Sequence, residues 1–158
     1  MPLEIERKFL AHPSVLEQCG CGVPIVQGYL HTDAENTVRV RRIGERYCVA
    51  WKGLRRGACR EEVELPVLPE VGAALLATIA PRDRIEKTRH RIDTHGHVWE
   101  VDLFAGKLDG LILAEVELGR EDEAVVLPAW VGREVTMDER YRNSRLAARA
   151  LGFLTVAA

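Results

Sequence analysis

The chain has 158 residues, 47% of them hydrophobic, and sets 22 Lys and Arg against 24 Asp and Glu for a formal charge of −2. That length suits one domain over residues 1–158 with a sizeable core, and the balanced charge excludes a broadly basic nucleic-acid binder and an acidic tail. No stretch approaches the roughly 20 apolar residues needed to span a bilayer, and the N-terminus enters a charged segment with no apolar leader. The expectation is a cytoplasmic protein with no membrane or nucleic-acid partner.

In chain order, the first element is a strand over Leu3–Leu10, in which Glu4, Glu6 and Lys8 fall on one face and Leu3, Ile5 and Phe9 on the other. Pro13–Gln18 reads as a short helix. Strands follow at Ile25–His31, Asn36–Ile43, Arg46–Lys52 and Cys59–Pro66, separated by turn-forming residues around Asp33, Gly44-Glu45 and Gly53 to Gly57. Pro69–Ile79 predicts a helix, with Pro at its first turn and Pro81 beyond its end. Three more strands are predicted at Arg84–Asp93, Val98–Phe104 and Leu111–Leu118. His95-Gly96 and Asp109-Gly110 turn between them. Asn143 or Ser144 caps a last helix running to Leu151, where Gly152 supplies the stop. The fold class is a β-rich α+β domain of antiparallel strands with helical trim.

Cys19-Gly20-Cys21 is too close-set for an ordinary structural zinc pair, and Cys48 and Cys59 stand alone, so all four are expected as thiols. His95-Gly96-His97 reads as a hairpin turn. No glycine-rich phosphate loop, nucleophile elbow or HExxH occurs.

The charge pattern carries the functional reading. Arg39 and Arg41 alternate with Val38 and Val40, Lys52 opposes Trp51, and Glu62 and Glu64 oppose Val63 and Leu65. Lys87, Arg89 and Arg91 share a face, as do Glu100 with Asp102 and Glu115 with Glu117. With Glu4, Glu6 and Lys8, one sheet face gathers eight carboxylates and seven cations. A solvated sheet face is the competing reading for any one strand. Across seven strands the near absence of Thr and Ser argues against it, and eight strands suffice to close a barrel and turn that face into a lumen. Charges in a lumen cost several kcal/mol each unless paired or bound. A polyphosphate with a divalent cation satisfies both signs: Arg and Lys grip phosphate oxygens, and carboxylates suit Mg²⁺ or Mn²⁺.

The ordered set Glu4-x-Glu6-x-Lys8, Val38-Arg39-Val40-Arg41, Trp51-Lys52-Gly53, Glu62-Val63-Glu64, Glu86-Lys87-Thr88-Arg89, Trp99-Glu100-Val101-Asp102 and Ala114-Glu115-Val116-Glu117 resembles the CYTH superfamily, the triphosphate tunnel metalloenzymes. The segment from Gly132 to Ala147 is similar to the small bacterial members, which include inorganic triphosphatases. The resemblance implies an eight-stranded antiparallel barrel forming a tunnel, with outer helices, a C-terminal helix near one mouth, and a small-molecule triphosphate substrate handled with Mg²⁺ or Mn²⁺.

By position, the resemblance assigns phosphate binding to Lys8, Arg39, Arg41, Lys52, Lys87 and Arg89. It makes Glu4, Glu6, Glu115 and Glu117 the first metal candidates. Glu62, Glu64, Glu100 and Asp102 complete an acidic wall as second-metal or water-orienting groups, Glu62 and Glu64 being the water-positioning candidates. Tyr29, sharing a face with Gln27 and His31, has two readings: with Lys87 it stabilises or protonates a leaving group, or it fills the barrel. Arg91 lies inside or beyond the tunnel end. Arg140, Tyr141, Arg142 and Arg145 close a mouth or form a solvated helix face. Parity puts Trp51 and Trp99 outside, leaving Trp130 and Tyr141 as mouth candidates.

The implied reaction is metal-assisted phosphoryl transfer to water without a covalent nucleophile. Only nine aromatic residues are present, which favours bare tripolyphosphate over an organic triphosphate. The alternatives are a class IV-type adenylate cyclase, a thiamine or nucleoside triphosphatase, a non-enzymatic polyphosphate-binding module and a plain β-sheet interaction domain. Monomer and homodimer both remain open.

Overall fold

The computed structural model describes residues 2–148. Its strands are β1 (Leu3–Ala11), β2 (Val23–Thr32), β3 (Thr37–Ile43), β4 (Arg46–Lys52), β5 (Cys59–Val67), β6 (Ile85–Thr94), β7 (His97–Phe104), β8 (Ile112–Glu117) and β9 (Val131–Glu134). The first eight pair antiparallel in the order β5-β4-β3-β2-β6-β7-β8-β1, and β1 returns to β5 through Leu3–Glu61, Glu4–Arg60 and Ile5–Cys59. The sheet is therefore a closed eight-stranded barrel, as the alternation anticipated. Each predicted strand lies within a residue or two of the observed one.

The ninth strand has no counterpart in the sequence reading. Its four residues, Val131-Gly132-Arg133-Glu134, show no apolar alternation, and it pairs only with the far end of β1, at Phe9 and Ala11. It forms because β1 continues past its last pairing with β8, at Leu10, and still offers backbone groups at Phe9 and Ala11.

Two apolar clusters cover the outside of the barrel. In one, Phe9, Trp99, Val101, Ala114 and Val116 project from β1, β7 and β8 beneath Val15 and Trp130. Trp130, a candidate for a mouth, instead stands with its ring edge-on to Trp99 at 5.5 Å, and its indole donates to Gln18 Oε1 at 3.2 Å. The long segment between β8 and β9 carries it back over the outer face, which alternation within strands does not encode. In the second cluster, α1 (Pro69–Ala77) lays Leu76, with Ile79 just beyond it, against Val40, Val26 and Val49. The helix lies close because Gly72 has no side chain: a Cβ there would fall 2.3 Å from the Cβ of Tyr47.

A third cluster plugs the lumen. Register places Leu10, Ile85, Phe104 and Leu113 on the inward face. They pack with Leu108, Val135, Tyr141, Leu146 and Ala147. The last three belong to the 3₁₀ turn Glu139–Tyr141 and to α2 (Asn143–Ala147). Tyr141 is thus buried in the plug and not a surface of the mouth. Arg142, not Asn143 or Ser144, is the N-cap of α2, because the preceding turn, capped by Asp138 on the Arg140 amide, brings the chain to the helix in an extended conformation at Arg142. The expected helix end at Leu151 and Gly152 lies outside the described residues.

Pro13–Gln18 is a 3₁₀ helix, capped by His12 on the Ser14 amide. The β6–β7 hairpin turns at His95 and Gly96, with φ of 52° and 80°, the left-handed pair that a two-residue hairpin requires. The four cysteines are free thiols. Among the described residues no helix is long and apolar enough to cross a membrane.

Gly72→Leu should destabilise the fold by about 1–3 kcal/mol, since overpacking against Tyr47 outweighs the gain in helix propensity. Urea unfolding of the variant against the parent protein measures it.

Candidate active site

The lumen between the plug and the open end holds a cavity of about 690 Å³. It is lined by Glu4, Glu6 and Lys8 from β1, Tyr29 from β2, Arg39 and Arg41 from β3, Lys52 from β4, Glu62 and Glu64 from β5, Arg89 and Arg91 from β6, Glu100 from β7, and Glu115 and Glu117 from β8. Cross-strand register explains the convergence, since directly opposed residues share a face. Lys8 opposes Glu115, Glu6 opposes Glu117, Lys52 opposes Glu62, Tyr29 opposes Arg39, and Arg91 opposes Glu100. A bulge between Tyr29 and His31 breaks the expected alternation of β2. His31 instead opposes Val38 and its imidazole pairs with Asp33 at 2.8 Å, away from Tyr29.

Cations and carboxylates interlock across the cavity. Lys52 donates to both oxygens of Glu4 at 3.0 and 2.8 Å and lies 3.2 Å from Glu62. Arg39 and Arg41 both donate to Glu64 Oε2, at 3.2 and 2.8 Å. Arg89 grips Asp102 with two hydrogen bonds of 2.7 and 2.8 Å and meets Glu100 at 2.5 Å.

The carboxyls of β1 form two acid pairs, Glu4 with Glu62 and Glu6 with Glu115. Burial lifts the Glu4 carboxyl above its ordinary value against the pull of Lys52, and the hydrogen bond and charge of Glu62 add to the lift. Its partner Glu62 is held low: burial works against ionisation, but the hydrogen bond from Glu4 and the charges of Lys52 and Arg39 outweigh it. Glu6 is pushed well above the carboxylate range, by burial first and by the charge and hydrogen bond of Glu115 next. Glu115 is held well below that range, because Lys8, the bond from Glu6 and Arg89 overcome its burial. Its Oε1 is buried without a hydrogen-bond partner, 3.7 Å from both Lys8 Nζ and Arg89 Nη2.

These pairs suit a hard divalent cation. Every donor is a carboxylate oxygen, and the uncommitted Glu115 oxygen faces two cations too distant to bond it. Among the described residues no three metal-ligating side chains are gathered into a ready cage.

Two predicted site residues stand elsewhere. Lys87 and Asp102 have no side-chain exposure and do not line the cavity; their Nζ and Oδ2 are 2.5 Å apart behind Arg89. Asp102 accepts three hydrogen bonds from Lys87 and Arg89, on both of its oxygens. The cause is the neighbouring plug: Lys87 opposes Phe104 and Asp102 opposes Leu113, so both sit at the apolar end of the lumen. Burial lowers Lys87 to about 8, with Arg89 pushing the same way and Asp102 opposing. Asp102 stays below its ordinary value despite burial, because it faces both Lys87 and Arg89.

The cavity also takes Thr37, Arg55, Arg60 and Arg142. Thr37 shares the alternation of Arg39 and Arg41, and Arg60 that of Glu62 and Glu64, so the signal for both was in the sequence. Arg55 sits on the β4–β5 loop, where alternation carries no information. Arg142 arrives from the chain's far end, where the sequence offered a mouth closure or a solvated helix face.

The CYTH domain family matches residues 2–150. The chain belongs to the CYTH family. It is 37% identical over 146 residues to an inorganic triphosphatase of Acetivibrio thermocellus, covering 92% of this chain and 94% of that one. It is 38% identical over 148 residues to an inorganic triphosphatase of Nitrosomonas europaea, covering 91% and 96%. The crystal structure of an inorganic triphosphatase superposes with a TM-score of 0.67 at 37% identity, over 96% of this chain and 99% of that one. The family is one of divalent-metal-dependent triphosphate tunnel enzymes.

Lys87 titrates near 8 in the fold and at 10.5 when exposed. Between those values the unfolded chain binds the extra proton, so the penalty for burying Lys87 is full below about pH 8 and is relieved as pH rises toward 10.5. Unfolding free energies at pH 7 and 9.5 should show this gain in the parent protein and a smaller one in Lys87→Met. Asp102→Ala, which strands a buried cation, should cost about 3–5 kcal/mol in the same measurement at pH 7.

Proposed function

We propose that this CYTH protein hydrolyses inorganic tripolyphosphate to pyrophosphate and phosphate, with Mg²⁺ or Mn²⁺ as its cofactor. The observation that carries the reading is one closed lumen in which Lys8, Arg39, Arg41, Lys52 and Arg89 face the two buried acid pairs of β1. The two curated relatives are inorganic triphosphatases, and the alignment with each spans more than nine-tenths of both chains.

Glu4, Glu6, Glu115 and Glu117 are the oxygen donors for the cation, with Glu62 beside them. A cation bound by these carboxylates would supply charge neutralisation to the phosphate chain. Arg39 and Arg41 present their guanidinium groups to phosphoryl oxygens, oriented by Glu64, which binds both. Lys8 and Lys52 add point charges along the same wall. Water attacks the terminal phosphorus in line with the bond to the leaving pyrophosphate, which then breaks. Glu62, kept ionised by Lys52 and Arg39, positions that water and accepts its proton. Arg89 and the Tyr29 hydroxyl stabilise charge developing on the pyrophosphate. Lys87 acts through Asp102, fixing the carboxylate that aims Arg89; it is a positioning residue in this scheme.

Phosphate release from tripolyphosphate, ATP and thiamine triphosphate, measured side by side with Mg²⁺, Mn²⁺ or EDTA, tests the proposal. Release should require metal and be fastest with tripolyphosphate, and Arg39→Ala should lower kcat by about 10²–10³-fold. Glu4→Gln should abolish the metal response. Cyclic AMP formed from ATP would assign a cyclase, and metal-independent release or none would overturn the reading.

A further inference from the structure

The charges of the cavity do not balance everywhere. Lys52, Arg39, Arg41 and Arg89 each have a carboxylate within 3.2 Å. Arg55, Arg60 and Arg142 line the same cavity on different terms. Among the described residues, neither Arg55 nor Arg60 ion-pairs with a carboxylate. Arg142 meets only Glu139, three residues back along its own chain, at 2.8 Å. Arg60 is oriented by neutral acceptors: its Nε donates to the Gly53 carbonyl at 2.7 Å and its Nη2 to Thr37 Oγ1 at 3.2 Å. Arg55 Nε is buried with no hydrogen-bond partner. Burial and the charges of Arg55 and Arg142 together lower Arg60 below the ordinary guanidinium value, so the three crowd one another.

Three guanidinium groups held together against their own repulsion, with donors unspent, make a seat for an anion richer in charge than a single carboxylate. We propose that Arg55, Arg60 and Arg142 form a phosphate subsite, independent of the divalent cation, that takes the unesterified terminal phosphoryl group of the chain in the lumen. The subsite deepens the triphosphate reading and rests on it only in that a phosphate chain enters this cavity. It makes the two ends of the substrate unequal: the chain is gripped by metal and carboxylates along the β1 wall and by arginines alone at this end. A terminal phosphoryl bearing two charges satisfies all three cations, whereas an internal or esterified phosphoryl brings one.

Titration calorimetry in EDTA, where no turnover complicates binding, tests the subsite apart from the activity. The ligands are tripolyphosphate, ATP with one free end, diadenosine triphosphate with none, and inorganic phosphate. The parent protein should bind tripolyphosphate and ATP at least about tenfold more tightly than diadenosine triphosphate. Arg55→Ala and Arg142→Ala should each remove about that factor and leave diadenosine triphosphate unchanged. Arg55→Gln and Arg142→Gln, which keep side-chain bulk, give the same comparison if an alanine variant fails to fold. Equal losses for capped and uncapped chains, no loss at all, or no binding in EDTA would each overturn the proposal. Loss confined to inorganic phosphate would overturn it in favour of a site for the free anion. A protein that binds this way yet releases no phosphate would keep the subsite and lose the hydrolase.

Discussion

Three residue pairs, Leu3–Glu61, Glu4–Arg60 and Ile5–Cys59, turn a sheet into a barrel. Without them β1 and β5 would be open edges, and the charged face would be an ordinary wet surface on which like charges two apart are tolerated by solvent. Once β1 closes on β5, that face has no bulk water behind it, and each ion must be met by another or by a ligand. β1 is the strand on which closure depends and also the one that carries Glu4, Glu6 and Lys8, so the same nine residues close the lumen and furnish one member of each of its acid pairs.

The lumen answers the desolvation cost in two ways. Toward the plug, opposite charges are packed together: the buried Asp102 lies between Lys87 and Arg89, and Glu100 also meets Arg89. Toward the open cavity the ions are only partly met. Burial and the nearby carboxylates Glu62 and Glu115 raise Glu4 and Glu6, and one oxygen of Glu115 has no partner. A dication bound beside each pair would relieve the repulsion between its members. The cavity is thus built from groups whose mutual satisfaction is incomplete only where metal and phosphate would add to it.

Most of this was legible in the sequence because a strand has a period of two, and parity sorts side chains to faces without knowledge of the fold. Parity placed Arg39, Arg41, Lys52, Glu62, Glu115 and the others on one side, and the barrel brought them together. It misplaced what depends on interruptions or on depth. The bulge after Tyr29 reversed the face of His31, and the same parity that put Lys87 and Asp102 inward could not say that they lie beside the apolar plug. Trp130 and β9 depend on a long irregular segment folding back over the barrel, which no local pattern specifies. Arg60 was missed for a different reason. It carries the parity of Glu62 and Glu64 but stands one position inside the start of β5, and only the fold brings it into the cavity with Arg55 and Arg142.

The lining also bears on which triphosphate the lumen admits. Among the described residues around the cavity, Tyr29 and Val98 are the only apolar side chains larger than glycine, and Tyr29 is partly taken up by the plug. A nucleoside or thiamine moiety needs a face to stack on or an apolar wall to cover it, and each buried ring is worth more than any one polar contact at its edge. The aromatic residues that would have supplied such a wall are spent elsewhere: Trp99 and Trp130 on the outer core, Phe104 and Tyr141 in the plug. What remains facing the lumen is mainly guanidinium, ammonium and carboxylate, with Thr37, His97, Asn143 and Ser144 among them, and the charged groups gain little from an organic substituent and lose hydration to it. A bare phosphate chain, charged along its whole length, is the ligand that such a lining recognises without leaving any of its own charges uncompensated.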